Sequence, residues 1–205
     1  MSETPSEGVI KFKYNLKMSK PFEEELFINL EKWRAILFKM NLIGEYPIEK
    51  VGFGNLSKRL NKIDDSFIIT GTQTGKYPHL NGSQYTKILK CNLQKMSLDA
   101  LGPVAPSSES LTHYSIYSTC PQVNAVFHIH NEELWNFMLK NNFPQTSKEI
   151  DYGTQEMAIE AKKCIGATTA GIFAMAGHQD GIISYGASVE EAGKIILETL
   201  KVSKK

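Results

Sequence analysis

The feature that most constrains the fold is a series of short apolar runs that follow one another with no helical pattern between them. Residues 67–70, 87–93 and 97–101 have the length and composition of β-strands, and turn-forming residues separate them. Consecutive strands joined by short turns pair in antiparallel fashion, whereas parallel strands need a long crossover. The chain therefore predicts an α/β domain whose sheet is mixed or mostly antiparallel.

Helical patterns flank these strands on both sides. Pro21 opens a pattern in which apolar residues recur at three- and four-residue steps as far as Met40. Four later helical patterns begin near Ser107, Asn131, Thr154 and Ser188. Further strands are predicted over residues 123–130 and, as a pair around a sharp turn, within 171–185. Helices with one apolar face pack on a sheet, so a layered domain is expected.

The length suits one domain with a core of its own. The chain has 205 residues, and a domain of this size folds without a disulfide or a metal. Residues 20–205 are assigned to this domain, and residues 1–19 are expected to form a weakly ordered arm. The cysteines, Cys91, Cys120 and Cys164, include no C-x-x-C pair, which is typical of reduced thiols in the cytoplasm.

The charge balance argues against two classes of partner. Lys and Arg number 23 and Asp and Glu 22, which gives a net charge of +1 and no global attraction to nucleic acid or an anionic membrane. No apolar run approaches the ~20 residues of a membrane span, and the polar N-terminus has no signal-peptide pattern. We therefore expect a soluble, cytoplasmic protein.

His128 and His130 are the strongest chemical signal. They end the predicted strand 123–130, and residues i and i+2 of a strand point to the same face, with Cβ atoms about 6–7 Å apart. Two imidazoles at that separation can hold one metal ion from one side. The alternative is a pair of histidines at a strand end whose ring nitrogens are satisfied within the protein.

A third histidine lies in a glycine-flanked turn. His178 sits between Gly177 and Gly181, and such a turn can bring one side chain to a chosen point. The alternative is a turn histidine exposed to water. Three histidines with one open position are typical of catalytic zinc sites. His79 is expected at the surface, and His113 as a packing or orienting residue on a helix.

Glu109 follows Ser107 and Ser108 at a predicted helix start. One explanation is capping, with a serine at the N-cap and a glutamate in the first turn. The other is function, because hydroxyl groups and unpaired backbone N–H groups at a helix start can hold a phosphate, and the carboxylate could move a proton. The residues alone leave both open. Residues 52–57 and 70–75 could likewise cradle a phosphate, although each is explained by turn formation, and neither is a P-loop.

Taken in order, these segments resemble the class II aldolase/adducin family. The matching segments are Gly54-Asn55-Leu56-Ser57, residues 69–75, Pro106-Ser107-Ser108-Glu109, residues 125–130, Tyr152-Gly153-Thr154 and residues 178–181. The resemblance covers about residues 24 to 200. It implies a three-layer α/β/α sandwich with a mostly antiparallel sheet, and a homotetramer with active sites near subunit boundaries.

The resemblance also assigns roles to residues. It implies that His128, His130 and His178 hold a divalent metal, usually Zn²⁺, and that Glu109 is the acid/base residue. The substrate phosphate would be bound by Asn55, Ser107, Ser108, Thr74 and Gly75. Thr70 and Gly71 are the other possible match for the threonine–glycine pair.

The activity that the resemblance implies is a metal-dependent aldolase reaction. The substrate would be a small sugar-phosphate-like carbonyl compound, cleaved through a metal-stabilised enediolate. Residues 131–151 are shorter than the family segment that supplies a tyrosine as a second acid, and Tyr152 does not match that motif. An epimerase or a dehydratase of the same superfamily therefore stays open. So does a non-catalytic adducin-like interaction domain, although such domains tend to lack the three histidines.

Overall fold

A computed structural model describes residues 8–61 and 63–204 of the chain. Residues 1–7 of the predicted arm, Lys62 and Lys205 lie outside this part. The strands within it are β1 (Lys13–Met18), β2 (Gly44–Glu45), β3 (Gly52–Phe53), β4 (Asn55–Arg59), β5 (Phe67–Thr70), β6 (Tyr85–Asn92), β7 (Ser97–Gly102), β8 (Ala125–His130), β9 (Gly171–Ala174) and β10 (Gly181–Gly186). Its α-helices are α1 (Ile28–Lys39), α2 (Ser110–Thr119), α3 (Glu132–Lys140), α4 (Gln155–Ile165) and α5 (Val189–Ser203). None of the helices in these residues is long and apolar enough to cross a membrane.

Eight strands form one sheet in the order β1-β7-β6-β5-β4-β8-β10-β9. Every neighbouring pair is antiparallel except β1 and β7. The strands β2 and β3 form a separate ribbon. The prediction of a mostly antiparallel sheet is therefore confirmed, as are the strands predicted within residues 67–101 and 123–130.

Alternate residues of the central strand β8 serve two separate cores. Phe127 and Ile129 pack with residues of α1, α3 and α5, whereas Val126 packs with residues of α2 and α4 on the opposite face. The sheet thus lies between two helical layers, and the predicted three-layer α/β/α sandwich is confirmed. The same alternation places His128 and His130 on the face of Val126.

Within the predicted arm of residues 1–19, one stretch pairs with the sheet. Its residues Lys13–Met18 form β1, which pairs in parallel with β7 from Lys13 opposite Ser97 to Met18 opposite Gly102. Most side chains of β1 are exposed, so the strand is held by its backbone hydrogen bonds and carries little apolar pattern. That is why the sequence did not reveal it. The helix predicted from Pro21 likewise begins later, at Ile28, after a short 3-10 turn.

The central strand β4 was also missed, because polar side chains occupy its buried positions. Ser57 bonds to Nδ1 of His113 at 2.7 Å and to the hydroxyl of Tyr117 at 2.8 Å. Arg59 donates to the carbonyl oxygens of Val123 and Tyr117. Because Ser57 and Arg59 have hydrogen-bond partners, the strand tolerates their burial without the apolar alternation that identifies strands in a sequence.

A buried ion pair on α1 holds the loop after β5. Arg34 lies 3.8 Å from Glu31 and donates to the carbonyl oxygens of Thr74 at 3.1 Å and Tyr77 at 2.6 Å. Glu31 in turn accepts a hydrogen bond from the backbone N–H of Leu80 at 2.9 Å. The loop over residues 74–80 is therefore fixed to the helical layer by side chains.

Arg34→Met is expected to destabilise the protein by about 3 kcal/mol, because it leaves a buried carboxylate and four carbonyl groups without their cation. Lys32→Met, at an exposed position of the same helix, is the matched control and should change little. Urea unfolding measures both. Equal stabilities for the two variants would contradict the role given to Arg34.

Candidate active site

Three histidines converge on one point at the end of the sheet. The ligand nitrogens of His128, His130 and His178 all lie within 4.8 Å of one another, and Nε2 of His128 is 3.0 Å from Nε2 of His130. All three residues are buried. The structure therefore brings the two strand histidines and the distant turn histidine together, as the sequence analysis expects of a metal site.

The turn between β9 and β10 delivers His178. Its backbone is closed by bonds from the N–H of His178 to Met175 and from the N–H of Gly181 to His178, both 2.9 Å long. A Cβ atom on Gly181 would lie 2.3 Å from Cδ2 of His178, so glycine is required for the imidazole to occupy this position. Gln179 and Asp180, which lie between His178 and Gly181, leave the imidazole in this position.

Neighbouring groups set the orientation of the two strand histidines. Nδ1 of His128 lies 3.2 Å from the carbonyl oxygen of Ile182, so this nitrogen carries the proton and Nε2 presents a lone pair. Nδ1 of His130 lies 3.0 Å from the hydroxyl of Tyr46, and its Nε2 faces His128. Both imidazoles therefore direct Nε2 into the space between the histidines.

Burial keeps the three imidazoles neutral. It lowers the pKa of His128 to about 4 and the pKa of His130 and His178 well below the usual range, and for these two the charge of nearby histidines acts in the same direction. Neutral imidazole is the form that binds a metal. Tetrahedral ligands around zinc lie about 3.3 Å apart, close to the observed Nε2 separation. The residues present thus fit a divalent metal.

Glu109 is the carboxylate of the site region. It is fully buried at the N-cap of α2. Burial raises its pKa to about 7, against the smaller lowering effects of Thr112 and Lys11. Within residues 8–61 and 63–204, neither carboxylate oxygen of Glu109 has a hydrogen-bond donor in bonding geometry. A side chain in this state can exchange a proton near neutral pH.

The residues expected to hold a phosphate line a single cavity. The lining consists of polar and glycine residues, namely Gly8, Gly52, Gly54, Asn55, Gly71, Thr72, Gln73, Thr74, Gly75, Ser107 and Ser108. All five expected residues are among them, and of the alternative pair Gly71 is present. Thr70 instead accepts a hydrogen bond from the backbone of Leu56. The pairing of Asn55 opposite His128 places this cavity one strand away from the histidines.

The two remaining histidines lie where the sequence analysis expects them. The side chain of His79 is 74% exposed, whereas His113 is buried and bonds to Ser57. Tyr46 is the residue that sequence reasoning missed. It contacts His130 from 84 positions away and lies in a loop without a motif, so no local signal marks it.

Comparisons with known proteins agree with this arrangement. Residues 39–204 match the family model of the Class II Aldolase and Adducin N-terminal domain. Comparison with curated proteins yields no match to this sequence.

Several solved structures share the fold at low sequence identity. L-fuculose-1-phosphate aldolase from Thermus thermophilus has a TM-score of 0.66 at 18% identity, covering 89% of this chain and 92% of its own. A sugar-phosphate aldolase from Thermotoga maritima has a TM-score of 0.70 at 16% identity, covering 88% and 93%. L-fuculose 1-phosphate aldolase from Glaciozyma antarctica has a TM-score of 0.60 at 14% identity, covering 90% and 75%.

Tyr46→Phe is expected to weaken metal binding about 10- to 100-fold, because it removes the hydroxyl group that orients His130. Tyr14→Phe, at an exposed tyrosine of β1, is the matched control. Competition with a chromophoric chelator measures the affinity of each variant. Wild-type affinity in Tyr46→Phe would show that the hydroxyl does not position the imidazole.

Glu109→Gln is expected to stabilise the metal-free protein at alkaline pH. The pKa of Glu109 in the folded protein is about 7, above its ordinary value of 4.5, so its stabilising contribution is complete below pH 4.5 and is lost as the pH rises through 7. The variant should therefore gain up to about 3 kcal/mol over wild type at pH 8 and little at pH 4.5. Urea unfolding at the two pH values measures the difference. A gain that does not depend on pH would contradict the raised pKa.

Proposed function

Because the chain belongs to the class II aldolase and adducin family, we propose that it is a metal-dependent aldolase acting on a small phosphorylated carbonyl compound. The observation that carries this proposal is the convergence of His128, His130 and His178, three buried neutral imidazoles with their ligand nitrogens within 4.8 Å. Structural neighbours that are sugar-phosphate aldolases support the same class of substrate.

The three histidines would hold the metal. A divalent ion with three neutral nitrogen ligands supplies Lewis acidity, which stabilises negative charge on a substrate carbonyl oxygen. Zinc suits this ligand set best, although imidazoles also bind other transition metals. Ile182 and Tyr46 contribute by fixing the strand histidines in the orientation that leaves Nε2 available.

Glu109 would carry the proton. Its carboxylate lies next in sequence to Ser108, at the start of α2, and its raised pKa allows it to accept a proton and return it near neutral pH. Because no donor among the described residues bonds in hydrogen-bonding geometry to the carboxylate, its oxygens keep their capacity to accept a proton.

The polar cavity would bind the phosphate end of the substrate. Its hydroxyl and amide groups, with the backbone N–H groups at the start of α2, can donate to phosphate oxygens. Asn55 pairs with His128, and Ser108 precedes Glu109, so the cavity adjoins both the metal ligands and the acid/base residue.

An epimerase or dehydratase is the second candidate, and one observation favours it. Tyr152 does not match the motif of the family's second acid, and its hydroxyl bonds to the backbone of Val9, at 3.0 Å to the N–H and 3.4 Å to the carbonyl. A reaction with a different proton donor would suit this arrangement.

The ligand set argues against a non-catalytic adducin-like domain. We also propose that the protein forms the homotetramer that the family suggests. A measurement of its molecular mass in solution tests this.

The proposed activity requires about one bound metal per chain, and its removal by a chelator should abolish turnover on a panel of ketose phosphates. His128→Ala should lose both metal and turnover, and His79→Ala, at an exposed histidine, should lose neither. Glu109→Gln should keep the metal and lose about 10²–10⁴-fold in turnover. Elemental analysis and product analysis measure these outcomes, and products distinguish aldol cleavage from epimerisation or dehydration. Full turnover without metal would exclude the proposal.

A further inference from the structure

The segment over residues 8–12, which we call the crossing segment, runs from the phosphate cavity past Tyr152 to β1. Gly8 lines the cavity, and its carbonyl oxygen accepts a hydrogen bond from Gln73 at 3.5 Å. Val9 bonds to the hydroxyl of Tyr152, and Phe12 is buried in the core on the side of α2 and α4. The crossing segment is therefore anchored at both ends, with Lys11 between the anchors.

Lys11 has well-defined contacts on the turn before α4. Its ammonium group donates to the carboxylate of Asp151 and to the carbonyl oxygen of Tyr152 at 3.1 Å, and it lies 3.9 Å from the centroid of the Tyr152 ring. An ammonium group has three N–H donors. Among the described residues two of them have acceptors, so one is available to a further partner.

These contacts place Lys11 beside the candidate active site. The Tyr152 ring lies 4.8 Å from the ring of His178. A Cβ atom on Gly153 would lie 3.6 Å from Cδ of Lys11 and 3.7 Å from the carbonyl oxygen of Ser108. The lysine side chain thus packs on the Tyr152–Gly153 turn, which also contacts the ring of His178 and lies near the carbonyl oxygen of Ser108.

The charge of Lys11 acts on the site through its position. Its ammonium group contacts the Tyr152 ring, which in turn contacts the ring of His178. Burial is the main cause of the raised pKa of Glu109, and the positive charge of Lys11 acts to lower that pKa. Among the described residues that line the phosphate cavity, none is a lysine or an arginine. A cation on the His178 side of the site but outside the phosphate cavity is suited to negative charge at the carbonyl end of a substrate.

We propose that Lys11 is a substrate-contacting residue whose ammonium group binds a charged or developing negative oxygen at the carbonyl end of the substrate. This inference rests on the proposed function and adds to it a residue from the crossing segment, outside the region that matches the family model. The proposal favours a substrate whose carbonyl end carries an anionic oxygen, or develops one when the compound enolises. A substrate that is anionic only at the phosphate is less suited to Lys11.

The test uses the full-length, zinc-loaded protein and the probe phosphoglycolohydroxamate, whose hydroxamate can chelate a metal while its phosphate occupies the cavity. Isothermal titration calorimetry should show that Lys11→Met binds the probe about 10- to 100-fold more weakly than wild type, as expected for loss of a charge-assisted hydrogen bond. Inorganic phosphate alone should bind the variant as it binds wild type. Lys13→Met, at an exposed lysine two residues away, should not differ from wild type in either measurement.

Asp151→Asn separates binding from a structural role of the ion pair. If Lys11 serves only to hold Asp151, both variants should lower the melting temperature equally and leave probe affinity unchanged, which would overturn the proposal. If Lys11 binds substrate, Lys11→Met should weaken the probe much more than Asp151→Asn does. If Lys11→Met lowered the affinities for the probe and for inorganic phosphate equally, the lysine would lie at the phosphate end of the substrate. That result would also overturn the proposal.

Two further results keep the outcomes distinct. If Lys11→Met does not fold, Lys11→Gln replaces it and is judged by the same affinities. If wild type itself binds neither zinc nor the probe, the proposed function fails and the role of Lys11 fails with it. If wild type binds both and the Lys11 variants match it, only the role of Lys11 is overturned.

Discussion

The account depends on the burial of three imidazoles against one another. Placing His128, His130 and His178 within one water-poor space removes their charge, and neutral rings with converging lone pairs gain most from a shared cation. The strand order β4-β8-β10 makes this possible, because it sets Asn55 beside His128 and brings the turn before β10 to the end of β8. The polar cavity and the three histidines consequently lie at one end of the sheet, on neighbouring strands.

The polar groups buried around this end of the sheet fall into two kinds. Ser57, His113, Arg34 and Glu31 all have hydrogen-bond partners and hold strands and loops in place. Glu109 differs, since it is fully buried and no donor among the described residues bonds to its carboxylate. A buried carboxylate without a hydrogen-bond donor lowers the free energy of unfolding at alkaline pH. Such a loss of stability is typical of a group retained for its chemistry.

Much of the fold could be predicted, since its elements carry strong local patterns. The strands β5 to β8 alternate or are continuously apolar, and Asn131, Thr154 and Ser188 cap their helices as expected. β1 and β4 could not be found, because one is held by backbone pairing at an exposed edge and the other satisfies buried polar groups through tertiary contacts. The roles of Lys11 and Tyr46 could not be predicted either, because they also depend on tertiary contacts. Their partners lie 140 and 84 residues away, and nothing nearby in the sequence marks those contacts.

The central claim is most directly tested by a crystal structure of the zinc-loaded protein, with diffraction data collected on both sides of the zinc absorption edge. The account predicts one anomalous peak per chain, with nitrogens of His128, His130 and His178 about 2.0–2.1 Å from it. An anomalous peak elsewhere, or three imidazole rings turned apart with only water between them at saturating zinc, would contradict it.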